Sequence, residues 1–172
     1  DTAHFILHFK GQELTEVKGL LNVSDGVVRY LEGMPEVTQV TANVILQLGR
    51  VDIDVLSGRT GNLILNHALL HFTDLLTDTE LADMELSAEG PIQEALELIA
   101  LPPLDLAGTF EIDPKTVSGT ASADVTLHFP LKETLTAQEV DVTVQAELTQ
   151  ASADVPKTPL KLSEGQLNLH VD

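Results

Sequence analysis

The feature that most constrains the fold is a two-residue alternation of apolar and polar side chains. From Glu139 to Thr149, every even-numbered position is apolar and every odd-numbered one is polar. The same period recurs in residues 40–48, 51–55, 82–89 and 166–171. Because successive side chains of a strand point to opposite faces of a sheet, this period predicts strands with one apolar and one polar face. The short connections between them suit hairpins, so the sequence predicts a mostly β, antiparallel fold.

One segment has a helical period instead. Ile92, Ala95, Leu96 and Ile99 are spaced to lie on one side of a helix, Pro91 suits a first helical position, and the prolines at 102 and 103 forbid continuation. We expect one short amphipathic helix around 91–99, its apolar stripe packed on the core. The predicted organisation is a first group of antiparallel strands (1–90), the helix (91–100), a linker (101–116) and a second group of strands (117–172).

Two stretches leave the strand pattern open. The residues Ser24-Asp25-Gly26 form either a turn or a bulge within one long strand. Residues 62–72 are apolar at both odd and even positions. That segment is therefore either covered on both faces or placed at a crossover.

Composition excludes several classes of function. The 172 residues suit one domain or a piece of a larger protein, and the net charge of −18 argues against binding nucleic acid or anionic lipid headgroups. Without cysteine there can be no disulfide and no thiolate metal site. No apolar run approaches the roughly 18 residues of a membrane span, and the first residues lack the features of a signal peptide. We expect a section of a longer protein whose targeting signals lie elsewhere.

The candidates for chemistry are weak. Two histidine pairs, His4/His8 and His67/His71, have a four-residue spacing, which spans about 13 Å along a strand. That separation is too large for two ligands each about 2.1 Å from one ion. The acidic pairs fall on polar strand faces, where a solvated charge is the ordinary interpretation; they are Asp52 with Asp54 and Asp83 with Glu85. We expect no catalytic residue, no metal and no cofactor.

Four stretches, taken in order, carry a family resemblance. They are Gly26–Val40, Glu89–Pro103, Val117–Leu131 and Glu164–Asp172. Together they resemble the C-terminal-half region of AsmA-like proteins of Gram-negative bacteria, the group of bridge-like lipid-transfer proteins that includes YhdP and is related to TamB. The resemblance covers roughly residues 19–172, and none of the four stretches is a catalytic signature.

The resemblance implies a fold, a place and a function. Proteins of this group are anchored in the inner membrane by an N-terminal helix and extend through the periplasm. Their strongly curved antiparallel sheet forms an apolar groove along which phospholipids are thought to move between the inner and outer membranes. The expected partners are therefore phospholipid acyl chains, and membranes through regions outside this chain. The expected helix would line or plug the groove.

The resemblance implies a set of groove-lining residues and no catalytic residues. The expected lipid-binding residues are the apolar members of the strands: Val40, Ala42, Val44, Leu46, Val51, Ile53, Val55, Ala82, Met84, Leu86, Val125, Leu127, Phe129, Val140, Val142, Val144, Leu148, Leu167, Leu169 and Val171. The alternation alone favours a closed, dry β-sandwich with a structural or adhesive role, and the resemblance reverses that preference in favour of the groove. Unpaired edges of such a sheet also predict edge-to-edge self-association.

Overall fold

A computed structural model describes residues 2–30, 32–102, 113–132, 135, 139–155, 158–160 and 165–171, with side chains as far as residue 152. Within these residues, ten strands form one antiparallel sheet. The strands are β1 (Thr2–Lys10), β2 (Glu13–Val28), β3 (Val37–Gln47), β4 (Arg50–Thr60), β5 (Leu63–Thr73), β6 (Leu81–Pro91), β7 (Val117–Pro130), β8 (Asp141–Val155), β9 (Thr158–Leu160) and β10 (Gly165–Val171). One helix, α1 (Ile92–Ile99), follows β6; Pro91, expected as its first helical residue, is instead the extended residue that precedes it. The mostly β, antiparallel class and the short helix are confirmed.

The strands are ordered almost as they follow in the chain. Neighbours run β1-β2-β3-β4-β5-β6-β7-β8-β10, and β9 pairs with the far end of β8. The helix interrupts the sequence but not the sheet, because β6 pairs with β7 from Leu81 opposite Pro130 to Pro91 opposite Thr120. The two groups of strands therefore lie side by side in one unclosed sheet. The described strands are not arranged as two sheets packed face to face.

The stretch Ser24-Asp25-Gly26 is a bulge inside a continuous strand. Val23 lies opposite Ala42 and Gly26 lies opposite Val40, so β2 contains one residue more than β3 between these pairs. Asp25 has a φ of 52°, in the left-handed region that aspartate tolerates better than most residues. Of the two alternatives that the sequence left open, the bulge is therefore the one that the chain adopts.

A second bulge explains why residues 62–72 look apolar on both sides. Leu65 lies opposite Ala88 and His67 lies opposite Ser87, which leaves Asn66 as an extra residue of β5. The extra residue shifts the alternation by one, so Leu65 and Ala68 share a face although their parities differ. The segment is an ordinary antiparallel strand between β4 and β6, not a crossover.

The hydrophobic core is shallow. Its central cluster consists of Val40, Ala42, Val55 and Ala68, each at most 9% exposed. In the part of the chain whose side chains are described, no large side chain is below 2% exposed. A single sheet can bury its apolar side chains only against one another, and this accounts for the shallow burial.

The helix lies at one end of the strands. Ile92 is buried, and Glu94 accepts hydrogen bonds from the backbone N–H and the side-chain Nδ2 of Asn62, at 2.9 and 2.6 Å. These bonds hold α1 against the β4–β5 turn. Further along, a Cβ added at Gly33 would lie 3.3 Å from the carbonyl oxygen of Pro102, so the segment after the helix reaches the β2–β3 loop.

Of the predicted linker 101–116, residues 103–112 lie outside the described part of the chain. Its last residues, Pro114–Thr116, form a 3-10 turn in which the Asp113 carboxylate accepts from the Lys115 backbone N–H at 3.0 Å.

Candidate functional site

The sheet register aligns apolar residues of successive strands into continuous rows on one side, which we call the apolar face. The longest row, row 1, crosses nine strands: Ala3, Leu21, Val44, Ile53, Leu70, Met84, Leu127, Val142 and Val171. Row 2 crosses eight: Val23, Ala42, Val55, Ala68, Leu86, Val125, Val144 and Leu169. Row 3 crosses seven: Phe5, Gly19, Leu46, Val51, Phe72, Ala82 and Phe129.

The predicted lining residues fall in these rows with few exceptions. The exceptions are four. Leu148 lies opposite Ala121 and Gly165, and Leu167 lies opposite Ala146, both in shorter rows. Val40 lies opposite Gly26, and Val140 comes immediately before β8. Val40, Ala42, Val55 and Ala82 are buried, and the other predicted residues with described side chains are half-buried. Leu167, Leu169 and Val171 have a backbone register, but their side chains lie outside the described part.

Large and small side chains alternate where the apolar face is tightest. A Cβ added at Gly19 would lie 2.8 Å from the ring of Phe5 and 3.1 Å from Cβ of Leu46, so only glycine leaves room for that ring. Ala82, between Phe72 and Phe129 in row 3, is completely inaccessible to water. Both positions therefore exclude a larger side chain.

Several members of the apolar face were missed by the sequence prediction. Two groups account for most of them: the residues of β1 and β2, and the residues of β5 around its bulge. They are Ala3, Phe5, Leu21, Val23, Leu65, Ala68, Leu70 and Phe72. A period-two search that allows one extra residue per strand finds the β5 set, because only the shift at Asn66 hides it.

The opposite side of the sheet, the polar face, carries a row of alternating aspartate and histidine. Directly opposite one another on β4 to β8 lie Asp52, His71, Asp83, His128 and Asp141. In this Asp–His row, Nδ1 of His71 donates to Oδ1 of Asp52 at 2.6 Å, and Nδ1 of His128 donates to Oδ1 of Asp83 at 2.5 Å. Histidines of this row therefore pair across strands, and not with a second histidine along the same strand.

The charged side chains on the polar face interact with near neighbours and remain accessible to solvent. Arg50 donates to both carboxylate oxygens of Asp52, at 2.7 to 3.0 Å. These hydrogen bonds hold the pKa of Asp52 below the usual range of an aspartate. On α1, outside the polar face, the pKa of Glu94 is also lowered, chiefly by the hydrogen bonds from Asn62. Such exposed pairs order side chains but add little stability.

Among the described residues, no group of three or more histidine, cysteine or acidic side chains could hold a metal ion. The described helix is too short to cross a lipid bilayer. The described sheet therefore presents an extended row of apolar side chains on one face and a row of charged and polar side chains on the other.

Comparisons with known proteins returned no match: no family model, no curated protein and no solved structure is significantly similar to this chain.

Proposed function

We propose that this chain is a section of a periplasmic β-groove that shields acyl chains and conducts phospholipid between the inner and outer membranes, without catalysing a reaction. The periplasmic location, and the anchoring of the parent protein in the inner membrane, come from the resemblance to AsmA-like proteins. The apolar face supplies the wall on which acyl chains would lie.

The observation that carries the proposal is the unbroken length of row 1. Nine strands at about 4.8 Å spacing extend it over about 38 Å. That length exceeds the roughly 30 Å hydrocarbon thickness of a whole bilayer. A lipid tail lying perpendicular to the strands would therefore contact aliphatic side chains along all of its length.

The incomplete burial of this face also supports the proposal. Leaving a large aliphatic side chain in water forgoes about 1.5–3 kcal/mol of transfer free energy. Row 1 contains half-buried Val44, Ile53, Leu70, Met84 and Leu127, so a substantial apolar area stays accessible after folding. Acyl chains would cover that area without requiring any directional contact.

The bulges provide a way to curve the sheet. Extra residues occur in β2 at Asp25, in β3 at Gln39, in β5 at Asn66 and in β8 near Gln150. A bulge bends its strand and increases the local twist. Bulges in several strands of one sheet would turn the apolar face into the concave wall that a groove requires.

Native mass spectrometry after gentle extraction from the cell envelope tests the proposal. We expect phospholipid to accompany the protein and to leave it when detergent is added in excess. Protein without lipid, isolated under conditions that preserve a known lipid carrier, would instead favour the structural or adhesive alternative.

Substituting Val142→Asp sharpens this test. Val142 is half-buried in row 1, between Leu127 and Val171. A charge there should expel acyl chains while the sheet, still wetted on that side, keeps its circular dichroism spectrum. In a closed core the same unpaired charge would cost several kcal/mol and prevent folding. The control is Thr143→Asp, the next residue, which lies on the polar face and should retain lipid.

A further inference from the structure

We propose that β1 is a self-association edge, at which two copies of the chain pair β1 against β1, antiparallel, about a two-fold axis through Ile6. This proposal does not rest on lipid binding. It concerns the 172-residue chain by itself, in whose described structure β1 is hydrogen-bonded to β2 on one side only.

The edge strand is unusually apolar for one that faces water. Its exposed side chains include Phe5 at 58%, Ile6 at 57%, Leu7 at 54% and Phe9 at 62%. Natural sheets protect their edges with charges, prolines or short strands, and a long apolar edge is a template for pairing with another strand. None of those protections occurs between Thr2 and Phe9.

The sequence of β1 is self-complementary. Read from Thr2 to Lys10 or in reverse, it has the same order of polar and apolar residues, with Ile6 at the centre. In an antiparallel pair centred there, Phe5 lies opposite Leu7 of the second copy, and His4 lies opposite His8 of the second copy. All nine residues then find partners of their own class, as an isologous interface requires.

The charge of β1 is compatible with self-association. The chain carries a net charge of −18, so two copies repel one another over most of their surface. β1 contains no carboxylate, and its ionisable side chains are His4, His8 and Lys10. Two copies can therefore approach through β1 without opposing carboxylates in that strand, and added salt should strengthen the association by screening the remaining repulsion.

The pairing would also extend the apolar face. Phe5 belongs to row 3 and Leu7 lies opposite Val17 on the same side of the sheet. A two-fold axis perpendicular to the sheet keeps the apolar faces of both copies on one side. Row 3 of one copy would then continue directly into Leu7 and Val17 of the second copy.

Sedimentation velocity over a range of protein and salt concentrations tests the proposal on the purified chain. We expect a monomer–dimer equilibrium that tightens as salt increases. Ile6→Asp places two like charges opposite each other on the axis and should weaken dimerisation at least about tenfold. The matched control is Leu20→Asp: Leu20 is 55% exposed on the same face but belongs to β2, so dimerisation should persist.

Mixing two variants tests the axis itself. Ile6→Asp and Ile6→Lys should each dimerise poorly, whereas their mixture should dimerise well because opposite charges then face each other. A wild-type chain that stays monomeric at every concentration, or an association that Ile6→Asp leaves intact, would overturn the proposal.

A crosslinking experiment covers the case in which charged variants fail to fold. The chain has no cysteine, so an introduced one reports without interference. Ile6→Cys should give a disulfide-linked dimer under mild oxidation, since directly opposed residues lie within disulfide reach. Leu20→Cys should remain monomeric, and equal crosslinking of both variants would count against pairing at β1.

Discussion

The two faces of this sheet are built from adjacent residues of the same strands, yet they are held by different forces. On β6, Ala82 is completely buried between two phenylalanines, while the next residue, Asp83, is half-buried on the other side and accepts a hydrogen bond from His128. One backbone register therefore produces both the aliphatic rows and the Asp–His row.

The difference between the faces indicates where stability resides. Side chains on the apolar face remove hydrocarbon from water and pack against several neighbours, so changes there are costly. Hydrogen bonds on the polar face compete with water and stabilise the fold weakly. The side chains of the polar face instead stay hydrated, so this side of the sheet faces solvent and the apolar face is the opposite one.

Ala82→Asp should destabilise the fold more than any of the substitutions that follow. It would bury an unpaired carboxylate between Phe72 and Phe129, at a cost of about 3–5 kcal/mol. Urea unfolding followed by circular dichroism measures the loss. Thr41→Asp adds the same charge to the polar face beside Ser57 and should change the free energy of unfolding by less than about 1 kcal/mol. Equal losses for the two variants would contradict the assignment of faces.

Leu70→Ala and Leu69→Ala form a closer pair, since they delete the same atoms from neighbouring residues. Leu70 lies in row 1 between Ile53 and Met84, and Leu69 lies on the polar face between Asp54 and Glu85. We expect a loss of about 2 kcal/mol for the first and less than about 1 kcal/mol for the second, because only Leu70 leaves a gap among apolar neighbours. Both values can be obtained from thermal unfolding in parallel samples. A larger loss at Leu69 would reverse the assignment.

Asp52→Asn should have the smallest effect, and one that depends on pH. The pKa of Asp52 is lowered in the folded protein, chiefly by hydrogen bonds from Arg50. Its ionised form therefore stabilises the fold at pH values above about 4, and this contribution disappears as the pH falls through the lowered pKa. We expect Asp52→Asn to lower the melting temperature slightly at pH 7, and the difference from the wild type to shrink as the pH falls through the lowered pKa of Asp52. A difference that persists in acid would assign the effect to packing. The melting temperature of the variant Arg50→Gln, which removes the hydrogen bonds to Asp52 from the other side, provides the complementary measurement.

Alternation in the sequence predicted most of the apolar face correctly because a regular strand has a strict two-residue period. The alternation within a single strand was enough to identify several residues that the register then aligns in row 1: Val44, Ile53, Met84, Leu127 and Val142. The helix was equally predictable, because Pro91 and Pro102 bracket one short apolar stripe.

The failures occurred where one residue breaks the period. Asn66 hid which side chains of β5 share a face, and Asp25 left the choice between a turn and a bulge open in β2. A local pattern cannot reveal whether an extra residue is absorbed by a bulge, because the answer depends on the partner strand. The contact of Glu94 with Asn62 was out of reach for the same reason, since 32 residues separate the two.

The sequence by itself determined that the regularly alternating strands have an apolar side and a polar side, since side-chain direction follows from backbone geometry alone. Only the tertiary structure decided that β6 pairs with β7 and so joins both groups of strands into one sheet. Strand pairing depends on hydrogen bonds between distant parts of the chain, and every strand here offers the same backbone donors and acceptors, so local composition could not specify which neighbours would meet.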